Sequence, residues 1–112
     1  MVARKRYVPD RGDVVWIDFN PTRGHEQGGR RPAVVLSSKI YNGPSRLVLV
    51  CPISSRTKGY PYEVSIAGKF EGVVLADHVR SLDWSARPVK KAGTAPENVM
   101  LEIQRKLRTL LF

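Results

Sequence analysis

Two short segments hold most of the side chains able to do chemistry. Gly24-His25-Glu26-Gln27-Gly28-Gly29-Arg30-Arg31-Pro32 gathers an imidazole, a carboxylate, an amide and two guanidiniums around glycines. Gly28 and Gly29 permit positive φ and close approach of the backbone to a ligand. Ser54-Ser55-Arg56-Thr57-Lys58-Gly59-Tyr60-Pro61-Tyr62 combines hydroxyls and cations with two tyrosines. Hydroxyls, Lys and Arg hold phosphate, and Tyr stacks on bases, so this segment suits a phosphate-and-base surface. Each segment also fits an ordinary solvated loop, and composition alone leaves both readings open.

Charge narrows the choice of partner. Nineteen Lys and Arg stand against ten Asp and Glu, a net of +9 over 112 residues. Such an excess favours a polyanion through counterion release. Twelve of the nineteen cations are Arg, which binds phosphate bidentately and stacks on bases. The length suits one domain over residues 1–112. The single cysteine, Cys51, excludes an internal disulfide framework, so the cytoplasm is the expected compartment. No run approaches the roughly 18 apolar residues of a membrane span. The basic stretch Met1 to Tyr7 has no apolar run after it, so no signal peptide is expected.

The elements that must carry these segments are mostly strands. Asp13 to Phe19 and Pro32 to Ser37 are rich in β-branched residues. Asn42-Gly43-Pro44 reads as a turn. Leu47 to Ile53 is a continuous apolar run, as in a strand buried on both faces. Pro52 predicts that this strand ends there or lies at an edge. Tyr62, Val64 and Ile66 alternate with polar residues, and Val73 to Ala76 and Val79 to Trp84 add one or two strands. Cys51 reads as a small buried hydrophobe. Trp16, Phe19 and Trp84 read as core or dimer interface rather than as base platforms, the alternative that aromatic rings in a cationic chain also allow.

The end of the chain predicts a helix. Thr94-Ala95-Pro96-Glu97 fits a capping box, with the Thr94 hydroxyl accepting from the Glu97 amide. Val99, Met100, Ile103, Leu107, Leu110 and Leu111 then recur on one face, the pattern of core packing. Glu102 and Lys106 are spaced to pair. Short strands, short loops and a final helix predict a mainly β domain built as a small barrel.

The order of motifs resembles the MazF/PemK toxin family over nearly the whole chain, from about Tyr7 to the helix. Gly12 to Pro21 resembles the family's first strand. Gly24 to Pro32 carries its Gly-x-Glu-Gln-x-Gly-x-Arg-Pro pattern. Pro52-Ile53-Ser54-Ser55, Lys58-Gly59-Tyr60-Pro61 and Val74 to Ser81 follow in the family's order. The resemblance implies an SH3-like barrel, a homodimer, and sequence-specific cleavage of single-stranded RNA. It also implies 2′,3′-cyclic phosphate and 5′-hydroxyl ends, and neutralisation by a MazE-type antitoxin with a disordered acidic tail.

RNA carries its own nucleophile, the 2′-hydroxyl, so no metal or other cofactor is expected. The enzyme must help remove its proton, stabilise charge on phosphorus and protonate the leaving 5′-oxygen. By matching positions, Arg31 falls on the family's catalytic Arg and Ser54 on its usual catalytic Thr. Loss of the Thr methyl is expected to loosen the Ser54 rotamer. Glu26 is the candidate general base, or else an orienting salt bridge to Arg31. His25, Gln27, Gly28, Ser55, Arg56, Lys58, Tyr60 and His78 are expected to contact RNA, with His78 alternatively structural. A gyrase-inhibiting toxin of the CcdB type shares the barrel, but it depends on a C-terminal Trp-Gly-Ile where this chain has Leu110-Leu111-Phe112. A non-catalytic RNA-binding barrel is the other alternative.

Overall fold

The computed structural model describes residues 6–112. The basic stretch at the start therefore lies largely outside the described residues. Seven strands and two helices follow one another: β1 (Asp13–Asp18), β2 (Arg30–Val35), α1 (Lys39–Ser45), β3 (Leu47–Ser54), β4 (Glu63–Ile66), β5 (Gly72–Leu75), β6 (Arg80–Asp83), β7 (Val89–Thr94) and α2 (Glu97–Leu111). The strand order is β4-β5-β3-β2-β1-β7, with β6 also on β3. Every pairing is antiparallel. The hydrogen-bonded path ends at β4 and β7 rather than closing, so the molecule is barrel-like, with α2 packed on β4. Among the described residues no helix is long and apolar enough to cross a membrane.

Alternation along the central strands generates two cores. Val14 pairs with Val34 and Val34 with Cys51, and all three enter one core. Their neighbours Val15, Ala33 and Val50 enter the other, with Ile17, Phe19, Leu82 and Trp84. Val99 and Ile103 of α2 complete the first core. Cys51 is buried there, and burial, followed by the nearby Asp77 carboxylate, pushes its thiol up to about 12.

Pro52 corrects the expected strand end. It pairs opposite Ala33, and β3 continues to Ser54 as an inner strand. The Leu49 N–H and C=O both point toward the β2 side, at Ser37 and Leu36. By alternation the Pro52 nitrogen faces the other edge. There β3 changes partner, from β6 at Leu47–Val50 to β5 at Ile53–Ser54. The missing N–H falls where neither neighbour is paired with it.

Asn42 is also corrected. It belongs to α1, which Ser38 caps by accepting from the Ile40 amide at 3.2 Å. Its buried side chain donates to the Pro9 and Ser37 carbonyls, both at 2.8 Å, and its own carbonyl accepts from the Trp84 indole at 2.8 Å. The capping box does not form. Thr94 is held in β7 opposite Asp13, so Pro96 takes the N-cap position before α2, with no side-chain cap hydrogen bond. Glu102 does pair with Lys106, at 3.9 Å, and more closely with Arg105, at 2.6 Å. The apolar stripe is buried only in part: Leu110 and Leu111 are exposed in the single chain.

Candidate nucleic-acid groove

The β1–β2 loop and the β3–β4 loop face each other across a groove of about 1030 Å³. Arg31 and Ser54 both line it, Arg31 from the start of β2 and Ser54 from the end of β3. His25, Gln27 and His78 form one wall. Ser55, Arg56, Lys58 and Tyr60 line the groove from the other loop. Of the residues singled out by sequence, only Glu26 and Gly28 do not line it.

Gly28 acts from beneath. Its carbonyl accepts from Arg31 Nε at 3.0 Å and Nη2 at 2.8 Å, which fixes the plane of the guanidinium. Arg31 Nη1 has no hydrogen-bond partner among the described residues. An added Cβ would stand 2.6 Å from Thr22 Oγ1 and 3.0 Å from Asn20 Oδ1, so any larger residue here would force those side chains to shift. The next residue, Gly29, has φ +76°, and its amide donates to Asn20 Oδ1 at 3.1 Å. The two glycines thus form the support on which Arg31 rests.

Ser54 is anchored despite lacking the Thr methyl. Its Oγ accepts from the Arg56 amide at 3.1 Å, which restricts the rotamer, and donates to the Arg56 carbonyl only at 3.3 Å. Glu63, read from sequence only as the polar side of an alternating strand, organises the rest of this loop. Its carboxylate accepts from Thr57 Oγ1 at 2.8 Å and from the amides of Lys58 and Gly59 at 2.9 and 3.0 Å. The Lys58 amide most of all, then the Thr57 hydroxyl and the Gly59 and Tyr60 amides, hold its carboxyl below the ordinary glutamate value. Tyr60 is exposed, with the Lys58 ammonium 5.9 Å from its ring centre.

Glu26 corrects one of the two expectations made for it, the orienting salt bridge. It makes no salt bridge to Arg31. One oxygen accepts from the Arg23 amide at 2.6 Å, and the other lies 3.5 Å from Arg80 Nη1. It faces a second cavity of about 360 Å³, with Phe19, Pro52, Asp77 and Arg80. His25, Gln27 and His78 border both cavities and separate Glu26 from the groove. Asp77 stands behind His78, Oδ1 to Nε2 4.0 Å.

Several groove residues escape a reading by composition of the two loops, among them Trp16, Glu63, Lys69, Phe70 and Glu71. Of the two places expected for Trp16, the core is not the one it takes in the single chain. It lies instead at the half-buried outer end of the first core's face, while Phe19 and Trp84 are buried as expected. Nothing in the spacing of Lys69 and Phe70 marks them, because β5 and β7 bring them to the groove.

The site is a cationic groove at the mouth of a small antiparallel barrel-like domain. The chain belongs to the family of PemK-like, MazF-like toxins of type II toxin–antitoxin systems, whose model matches residues 10–111. The endoribonuclease toxin MazF of Escherichia coli (strain K12) is 50% identical over 108 residues, covering 95% of this chain and 96% of the relative. The endoribonuclease PemK of Escherichia coli is 33% identical over 116 residues, covering 98% and 87%. Among solved structures, MazF from Deinococcus radiodurans superposes with a TM-score of 0.91 at 53% identity, covering 95% of this chain and 98% of that one. A MazE–MazF crystal structure from the same organism gives 0.84 at 53% identity, covering 95% and 97%.

Proposed function

We propose that this toxin-family endoribonuclease cleaves single-stranded RNA, messenger RNA above all, in the groove that Arg31 and Ser54 share. The observation that carries the reading is Arg31 itself, its guanidinium held by the Gly28 carbonyl with Nη1 left for phosphate. The ribose 2′-oxygen attacks the adjacent phosphorus, and the bond to the 5′-oxygen breaks. The products are a 2′,3′-cyclic phosphate and a 5′-hydroxyl. Negative charge builds on the non-bridging oxygens, where a fixed cation stabilises the transition state more than the ground state. The Ser54 hydroxyl, anchored by the Arg56 amide, donates to one of those oxygens. The imidazoles of His25 and His78 line the same groove, where a side chain able to accept or donate a proton can serve the transfers from the 2′-oxygen and to the 5′-oxygen. Glu26 acts behind that wall, holding Arg80 and the Arg23 turn, and is not the base. Arg56, Lys58, Tyr60, Ser55 and Gln27 hold the strand.

The net charge of +9 and the cationic groove support neutralisation by a MazE-like antitoxin whose acidic, disordered tail covers the same surface. The working unit is a homodimer in the cytoplasm, where its substrate is; a monomer by light scattering at micromolar concentration would count against the dimer. The test of the activity is mapping of RNA 5′ ends after incubation of total RNA with purified protein in EDTA. New 5′-hydroxyl ends at a recurring short sequence are expected. Intact RNA, with tight binding, would favour a non-catalytic RNA-binding barrel.

A further inference from the structure

We propose that Trp16 and Phe70 form a nucleobase-stacking subsite within the groove, which rests on the RNA reading above. On β1, Trp16 stands between Val15 and Ile17, both fully buried in the second core, so it points to the opposite face. There Val14 is buried in the first core, while Trp16, two residues on, emerges into the groove. Trp16 pairs with Pro32, which brings Arg30 to its diagonal on the same face, and the Arg30 guanidinium lies 5.1 Å from the indole centre. Phe70, from the β4–β5 connection, meets Trp16 edge-on, with ring centres 6.5 Å apart and planes at 66°.

The corner is built rather than incidental. The Phe70 ring is seated over Gly93 of β7, where an added Cβ would stand 3.3 Å from Phe70 Cε2. Lys69 is tied to the Ala92 carbonyl at 3.3 Å, and its ammonium lies 5.6 Å from the Phe70 centre. Two rings are thus fixed at an angle, each with a cation, and both remain only half-buried in the groove wall. A base lying flat on one ring presents its edge to the other. Arg30, planar and able to stack on bases, and Lys69 neutralise the flanking phosphates. Stacking of this kind accepts any base, so the subsite fixes the register of the strand more than the identity of the base.

The test uses a single-stranded RNA oligonucleotide with one mapped cleavage site, made with an abasic ribose at each position in turn. Wild-type kcat/KM is expected to fall about tenfold, carried by KM, when the abasic ribose occupies one particular position near the cut, as for loss of one base–aromatic stack. Phe70→Leu loses about as much on intact RNA, and the abasic ribose at that position then costs nothing further. Phe70→Tyr, which keeps the ring, behaves as wild type and separates stacking from packing. A wild type indifferent to every abasic position, or a Phe70→Leu enzyme showing the full abasic penalty, overturns the subsite. So does a Phe70→Leu enzyme that cuts RNA normally and loses only its grip on an acidic peptide. A wild-type chain that cuts no RNA overturns the functional reading first, and this inference with it.

Discussion

Gly28 sets how Arg31 stands in the groove, because its carbonyl accepts from both Nε and Nη2 and its missing side chain leaves room for Thr22. A single methyl there would push against Thr22 Oγ1 and tilt the carbonyl. Gly28→Ala is therefore expected to lower kcat about tenfold or more, since catalytic groups tolerate little misplacement. The melting temperature should move by only a few degrees, because the loop lies outside both cores. Adding Thr22→Ala should restore part of the loss. Unchanged kcat in Gly28→Ala, measured beside a thermal melt, would show that Arg31 does not depend on this support. Much of the site was legible at this scale. The pattern around Arg31 and the hydroxyl of Ser54 stand out by residue type and order. The partner of Glu26 was not legible, because β6 delivers Arg80 from fifty-four residues further along the chain. The seat of Phe70 was hidden for the same reason, since its floor is Gly93 on β7.

Elements differ in how openly they announce themselves. β1, β3 and β4 were legible from β-branched runs and alternation, which are local properties. β7 was not, because Val89-Lys90-Lys91-Ala92-Gly93-Thr94 has little apolar content and gains its conformation by pairing with β1. α1 was masked by Asn42-Gly43-Pro44, whose residues favour turns; burial of Asn42 among Pro9, Ser37 and Trp84 outweighs that preference. The β3–β4 loop carries a pH dependence of its own. Glu63 accepts from two backbone amides and a hydroxyl, and its carboxyl sits below the ordinary value of 4.5. A depressed carboxylate stabilises the folded loop above the ordinary pKa, and that contribution is lost as pH falls through the folded-state value. Hydrogen-exchange protection of the Lys58 and Gly59 amides should persist at mildly acidic pH and fade below the ordinary carboxylate range. Glu63→Ala should remove it throughout and raise KM for RNA. Protection that ignores both acid and the substitution would remove Glu63 from loop organisation.

At the scale of the molecule, function follows from where charge collects. Arg30, Arg31, Arg56, Lys58 and Lys69 line one groove of a chain carrying a net +9. For single strands the log of the binding constant falls about 0.7 per phosphate held with each unit of log salt, so about four phosphates give a slope near −3. RNA affinity should then drop about fiftyfold between roughly 50 and 200 mM salt. A flat salt response would mean that the groove is not where RNA lies. The central claim is that one oriented guanidinium in this groove stabilises the phosphorane while RNA attacks itself. Its most direct test is single-turnover cleavage of single-stranded RNA in EDTA, comparing wild type with Arg31→Ala at saturating protein. The wild type should cut, and the variant should bind but cut about a hundredfold to a thousandfold more slowly, the loss typical of removing one charge-stabilising donor. Equal rates for the two proteins, or a wild type silent until metal is added, would contradict the account.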